Sequence, residues 1–542
     1  MHPCLCIDEI LDRIFEYLLP YNHNLAALAL TCRAFTEPAS EKLWRTLPEL
    51  EHLLRCLPAD CWEDFTPEAP AGRTIRFTRQ LDSEDWMKIK VHRRRIREFS
   101  HQTWGRGVHY AHLLDAIEAT LPTQSLFPNI RHLHFRWKHY NATEFVRWAT
   151  ILIGPRLTDL TLYNDNFSNE EVELLGGLDI PFANLRSLDL FAGRSDLPSI
   201  LSTSSSFALA LSRVEEIALP RATPSAWRHL ASLPDLEKLT LYAPRVGDLP
   251  PLYPLLSNPF PALGYVHLSN TNVACAVEML KSVPQWHLWR LIVGSREPET
   301  RATVQLLYQA VASRCVTTEL EDLWIGPLYP LGDEDTQAPP TATLGAYALS
   351  GDTLGLLFPL QNLVNITLRP SFGFVIDDGV IRDVASAWPN VTVLRLGSGS
   401  TRQNRAGTTL NALRILAEHC PSLRDLMLPV NAFTVPPFAA YRNYRRITQT
   451  ALTSLDVGIS PITDSEEVAR FISGHFTAIS EVETFCAWRW DDEGYQAQRV
   501  GEEAEERFHR RWKEVQLMLR FSERVRREER YWAENSAGEE GY

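Results

Sequence analysis

The sequence predicts an α/β protein made by stacking one short strand-and-return unit many times, with a small helical segment ahead of the stack. Three observations carry this expectation. A spaced apolar triplet recurs along most of the chain, helical apolar spacing marks residues 5–46, and a long charged stretch with a drifting apolar stripe follows the last triplet.

The triplet reads apolar, two residues, apolar, one residue, apolar. It runs from Ile130-Leu133-Phe135 through Leu157-Leu160-Leu162 and Leu185-Leu188-Leu190 to a degraded Val482-Phe485-Ala487. It occurs thirteen times at intervals of 22 to 32 residues, with one interval of 43. Its last two positions alternate with polar residues, so they form a short strand with one buried face. The rest of each unit must turn back and cover that face, and residues 169–178 and 410–420 have the helical spacing to do so. Pro128, Pro234, Pro261, Pro389 and Pro421 stand just before strands, where proline ends a helix and starts an extended run. One unit cannot bury its own face, whereas a stack builds a continuous core. The pattern resembles the leucine-rich-repeat family over residues 125–490, in an irregular form in which most units lack the Asn or Cys that usually follows the strand. The resemblance implies a curved solenoid with parallel strands on its inner face and helices outside.

Near the N-terminus, Ile10, Leu11, Ile14, Phe15 and Leu18 lie at helical spacing, with Asp8 and Glu9 where acids suit the helix dipole. Pro20 is expected to end that helix. Leu25, Leu28, Ala29, Cys32 and Phe35 mark a second, and Pro38 precedes a third around Leu43 and Trp44. Three such helices make a small core, so a partner is expected to complete the apolar face. Residues 1–47 resemble the F-box through Glu9-Ile10-Leu11, Ile14-Phe15, Leu18, Cys32-Arg33, Phe35 where that family often has Trp, and Leu43-Trp44. An F-box ahead of leucine-rich repeats is a familiar organisation, especially in large fungal sets of such proteins. The resemblance implies binding to the Skp adaptor of a cullin-containing (SCF-type) ubiquitin ligase through Ile10, Leu11, Ile14, Phe15, Leu18, Leu28, Cys32, Phe35, Leu43 and Trp44. The repeats would then hold a protein substrate. The alternative is a repeat scaffold with a decayed F-box and no ligase link.

Residues 48–124 form a connecting region. Residues 74–77 and 95–99 resemble imperfect first repeats, and 82–87 a short helix. The basic run 92–97 reads as a solvated edge, with nuclear import or nucleic-acid binding as the other possibility. Residues 332–340 are an acidic, proline-bearing insertion expected to be a mobile loop. Over 499–535 a helix is expected, with Phe508, Trp512, Val515, Leu519, Phe521, Val525 and Trp532 along its stripe. Acids crowd its first turns and arginines its later ones, which complements the dipole, and a terminal cap is its expected role.

The 542 residues carry a net charge of −13, which disfavours a general nucleic-acid binder. No apolar run approaches the roughly 18 residues of a membrane span, and no secretory signal is read. Nine scattered cysteines suggest reduced thiols in the cytosol or nucleus. Cys4 with Cys6 and Cys56 with Cys61 lack partners at zinc-site spacing. His109 with His112, Asp377-Asp378 and Asp491-Asp492 lack companions for acid–base or metal chemistry. No phosphate loop, HExxH or GxSxG element occurs. No catalytic residue, cofactor or metal is therefore expected. Directly after the last apolar position of successive triplets come Arg136, Tyr163, Phe191, Pro220 and Tyr242. Equivalent positions on neighbouring strands form rows, so Tyr163, Phe191 and Tyr242, with Trp324 further along, are expected to anchor a protein partner.

Overall fold

The computed structural model describes residues 7–19, 22–65, 74–102, 111–121, 125–137, 142–164, 169–192, 198–296, 299–327, 347, 349–397, 407–437, 447–484, 488–489, 498–499 and 503–536. Two compact units are present, residues 1–242 with 258–262 and residues 243–257 with 263–542.

The first unit opens with α1 (Asp8–Glu16), α2 (Asn22–Thr31) and α3 (Arg33–Leu43). Leu11, Phe15, Leu25 and Ala39 form their core, with Leu18, Leu28, Ala29, Phe35 and Leu43 packed around it. Phe15 meets Phe35 edge to face at 5.8 Å. The buried Lys42 ammonium lies 2.7 Å from Asp12 and ties α3 to α1. Two boundaries differ from the sequence expectation. Pro38 sits inside α3, and the break between α2 and α3 falls at Cys32, whose backbone is extended. A proline there removes one intrahelical hydrogen bond, which the surrounding packing tolerates.

Strand β1 (Thr46–Leu47) leads out of α3, followed by β2 (Trp62–Phe65), β3 (Thr74–Phe77) and β4 (Glu98–Gln102). Then come β5 (His132–Trp137), β6 (Asp159–Asn164), β7 (Ser187–Ala192), β8 (Glu216–Leu219) and β9 (Lys238–Leu241). Strands β1 and β4 to β9 make a parallel ladder. β3, which the sequence suggested as a first repeat, pairs antiparallel with β2 instead. Helices Ala142–Leu152, Asn169–Leu175, Pro198–Ala210 and Pro224–Ala231 return between the strands. Leu133, Leu160, Leu188, Ile217 and Leu239 stack behind the ladder and are buried. The residue before each strand donates its N–H to the same position one repeat back: Thr158 to Arg131, Arg186 to Thr158, Glu215 to Arg186 and Glu237 to Glu215. Repeats are thus joined by backbone as well as by core.

The second unit repeats the plan with β10 (Tyr265–Thr271), β11 (Arg290–Ser295), β12 (Asp322–Pro327), β13 (Leu349–Ser350), β14 (Asn365–Leu368), β15 (Phe374–Val375), β16 (Val393–Leu396), β17 (Asp425–Met427), β18 (Ser454–Asp456) and β19 (Glu481–Glu483). All but β13 and β15, which pair with each other, lie in its parallel ladder. Side chains of Asn272, Thr300, Asp377, Thr409 and Asp464 cap the returning helices by accepting first-turn N–H groups. Each of the first twelve triplets therefore supplies one ladder strand across the two units. In the thirteenth, Val482 pairs with Leu455, the middle position of its triplet, so β19 begins the unit three residues earlier than the sequence reading placed it, with Ile479 at the first buried position. Pro20, Phe485, Ala487 and the 332–340 insertion lie outside the described residues.

Helix Glu503–Ser536 closes the second unit. Its inward stripe is Trp512, Val515 and Leu519, all buried. The Trp512 indole N–H donates to Ser460 O at 2.9 Å, and Arg511 and Arg520 donate to Ile462 O and Ser480 O, both at 2.8 Å. Beyond Leu519 the stripe leaves the core, and Phe521 and Trp532 are exposed. Among the described residues no helix is long and apolar enough to cross a membrane.

Candidate functional site

Two surfaces of the first unit carry features that its fold alone does not require. The first is α1. Leu11, Phe15 and Leu18, at positions i, i+4 and i+7, turn toward α2 and α3, and Leu11 and Phe15 are each 2% exposed. Beside them runs a second stripe, Ile7, Ile10, Ile14 and Tyr17, which faces outward with Ile14 at 41% and Tyr17 at 77%. Leu30 on α2 is 89% exposed. The ten residues that the sequence assigned to the adaptor surface therefore separate. Leu11 and Phe15 are internal, and Leu18, Leu28, Phe35 and Leu43 are half-buried against them. Cys32 is also half-buried. Ile10 and Ile14 look outward. Ile7, Tyr17 and Leu30 were not among the ten, although i, i+3, i+7, i+10 spacing links the first two to Ile10 and Ile14.

Trp44, the tenth, lies at the junction with the repeats. Its ring rests on His92 at 4.2 Å. Burial and the nearby Arg95 hold His92 below the usual histidine range, so the ring is neutral at pH 7. Arg95 pairs with Glu37 of α3, and Arg45 with Glu98 of β4. Thr46 and Leu47 add directly to the ladder beside β4. The basic run 92–97 thus does internal work at this junction. Arg93 is buried, its guanidinium over Trp86 at 5.1 Å and its Nε donating to Leu126 O at 2.9 Å. The helical segment is consequently fixed to the first repeat by strand pairing, stacking and ion pairs.

The second surface is the ladder face opposite the buried leucines. Register places Gln102, Arg136, Tyr163 and Phe191 in one row and Ser100, His134, Thr161, Asp189, Ala218 and Thr240 in the next. Tyr163 and Phe191 stack at 4.2 Å, nearly parallel, and Phe191 meets Tyr242 edge to face at 4.8 Å. The Arg136 guanidinium lies over Tyr163 at 4.0 Å. Tyr242, two strands from β7, leans back across small Ala218 and donates its hydroxyl to Asp189 at 2.8 Å. Three of the four rings singled out from sequence are therefore one assembly. Trp324 belongs to the second unit, between Ile292 and Thr367 in register, and makes no ring pair among the described residues.

Asp189 was not singled out. Burial pushes its carboxyl up to about 6, only partly offset by the Tyr242 hydrogen bond. Its ionised form is therefore disfavoured in the fold relative to the unfolded chain, where a carboxyl titrates near pH ~4. Stability linked to this group is highest below pH ~4, falls as pH rises through 4 to 6, and stays low above that. Asp189→Asn is expected to raise stability by about 2 kcal/mol at pH 7 and by nothing measurable below pH ~4, as read from denaturant melts across that range. An equal effect at both pH values would refute the carboxylate as the cause.

Among the described residues no three His, Cys, Asp or Glu side chains converge as a metal would require. Residues 8–47 match the F-box-like family model. No curated protein matches the chain. Among solved structures, the yeast Rad7 and Elc1 complex aligns over 59% of this chain and 79% of its own matched chain, at 16% identity and a TM-score of 0.29. The leucine-rich repeat-containing protein LegL7 from Legionella pneumophila covers 70% of this chain and 97% of its own, at 14% identity and a TM-score of 0.28. The repeat assignment rests on the strand ladders themselves. Residues 8–47 are an F-box-like domain, and the chain carries it ahead of stacked strand-and-helix repeats.

Proposed function

We propose that this chain is a substrate receptor of an SCF-type ubiquitin ligase. Its F-box-like domain binds a Skp-type adaptor, and through it a cullin, while the repeats hold a protein substrate. The observation that carries the reading is the outward apolar stripe Ile7, Ile10, Ile14 and Tyr17 on a domain whose own core is already filled. An exposed apolar stripe on so small a domain marks a protein-binding face. On this chain Ile10 and Ile14 are the proposed adaptor contacts, with Leu18, Leu28, Cys32, Phe35 and Leu43 shaping the face from beneath. Such a receptor needs no catalytic residue or cofactor, since it works by holding substrate near the charged conjugating enzyme. Rigid attachment of α3 to β4 suits that task, because a loose joint would dilute the effective concentration of the substrate. No disulfide joins the six described cysteines, which agrees with a cytosolic or nuclear setting.

Tyr163, Phe191 and Tyr242 are the proposed substrate anchors, with Trp324 as a separate contact in the second unit. Tyr163→Ala with Phe191→Ala is expected to reduce recovery of co-purifying substrate at least about tenfold when the proteasome is inhibited, while adaptor capture is unchanged. Unchanged substrate recovery would remove these rings from the binding face. Failure of the wild-type chain to capture any Skp-type adaptor would overturn the receptor reading itself and leave a repeat scaffold with a decayed F-box.

A further inference from the structure

We propose that the chain pairs with a second copy of itself through its terminal helix, the overhanging end of that helix from each copy lying in a groove beside the same helix of the other. The inference does not depend on the receptor reading. The groove runs between helix Ser465–His475 and helix Glu503–Ser536 and encloses about 690 Å³. Leu517, Met518 and Phe521 form one wall, and the small residues Ala469, Ser473 and Gly474 form the other. Leu517 and Phe521 are exposed, so this wall is an apolar surface that the unit itself leaves in water. Arg470 and Arg526 also line the groove, and Glu466 is the one acid among its lining residues.

The end of the same helix has the length and the chemistry to fill it. Arg526 donates to Ser473 O at 2.7 Å, and from Arg527 to Ala533 every residue is exposed. This overhang carries Tyr531 and Trp532, whose rings meet each other edge to face at 5.7 Å, and the acids Glu528 and Glu529. Groove wall and overhang are consecutive parts of one continuous helix, so the overhang reaches such a groove only on another copy. Residues 517–526 line the groove and residues 527–536 form the overhang, each about 14 Å long at the rise of an α-helix. Two such helices laid antiparallel about a two-fold axis near residues 526 and 527 bring each overhang level with the other's groove. That register sets Phe521 against Tyr531 and Trp532 of the other copy, and Arg524 against its Glu528 and Glu529. Symmetry makes both contacts twice. Among the described residues Arg524, Glu528 and Glu529 have no ion pair within the chain, although neighbouring Glu523 pairs with Arg527. A parallel pair would instead face Arg524 with Arg524 and Glu528 with Glu528, like charges that repel.

Sedimentation velocity of the full-length chain at about 1 to 100 µM tests this, a range suited to an interface at the small end of specific contacts. The expected result is a monomer–dimer equilibrium. Phe521→Ala, Trp532→Ala and Arg524→Glu should each raise the dimer dissociation constant about tenfold or more. All three side chains are exposed, so in dilute solution, where the chain is monomeric, these variants should melt with the wild type. Adding Glu528→Arg and Glu529→Arg to the Arg524→Glu chain should restore the dimer, because the reversed charges meet their opposites only across an antiparallel pair. A wild-type chain that stays monomeric over the whole range would overturn the proposal. So would a dimer that ignores Phe521→Ala and Trp532→Ala, or one that the combined charge reversal leaves as weak as Arg524→Glu alone.

Discussion

Ile10→Asp combined with Ile14→Lys is expected to lower affinity for a Skp-type adaptor at least about a hundredfold, equivalent to about 3 kcal/mol, while leaving the domain folded. The effect is large because both side chains project from α1 on the outward stripe, where a bound partner would strip water from two introduced charges. The pair is chosen to spare the helix. An acid near the start and a base near the end both suit the dipole, and a four-residue spacing lets them pair. Leu11→Asp with Phe15→Asp would also abolish capture, for a different reason. Those side chains form the core with Leu25 and Ala39, and removing a buried Phe alone costs about 3–5 kcal/mol. Isothermal titration with purified adaptor, alongside circular dichroism melts, separates the two cases. Unchanged affinity of the Ile10→Asp, Ile14→Lys chain would show that the adaptor does not use this stripe.

This distinction shows what the sequence could and could not reveal. Spacing identified α1 as a helix with apolar residues at 10, 11, 14, 15 and 18, a face wider than one helix contact can bury. Which half turns inward depends on where α2 and α3 pack, and that is set by Phe35, Ala39 and Lys42 from later in the chain. The repeats were far more legible, because each triplet needs only its own alternation and a neighbour of the same kind. Leu188-x-Leu190 declared β7 without reference to anything distant. Residues 74–77 show the limit of that rule. Their alternation is that of a strand, but pairing is decided by proximity to residues 62–65, which the pattern does not encode.

The aromatic row divides in the same way. Strand register brought Tyr163 beside Phe191 from sequence spacing alone. Asp189 passed unnoticed, as a polar residue in the one-residue gap of a triplet is expected to be solvated. Its burial comes from Tyr242 two strands away and from the small Ala218 between them. Likewise the basic run 92–97 carries the charge of a solvated edge, yet Arg93 lies over Trp86 and His92 under Trp44. Long side chains bury their stems and planar heads against aromatic rings, so charge along the sequence does not report exposure.

Trp512→Ala is expected to cost about 3–5 kcal/mol, and to do so locally. Trp512 is fully enclosed beneath the terminal helix, and its indole N–H satisfies Ser460 O. Without it, Val515 and Leu519 hold the helix on a cavity, and the last repeat loses the cover that a solenoid end requires. Each repeat of a solenoid is stabilised mainly by its immediate neighbours, so the loss should not spread evenly. Hydrogen exchange is expected to accelerate about a hundredfold or more in β18, β19 and helix Ser465–His475, with β5 to β9 unchanged. Phe521→Ala and Trp532→Ala, on the exposed continuation of the same stripe, should change stability by no more than about 0.5 kcal/mol. Equal acceleration in both units would show that the chain unfolds as one cooperative block, and the terminal helix would then be part of a global core instead of a cap. Loss confined to the last repeats would instead show that the F-box-like domain and the aromatic face keep their joint geometry whatever happens at the far end.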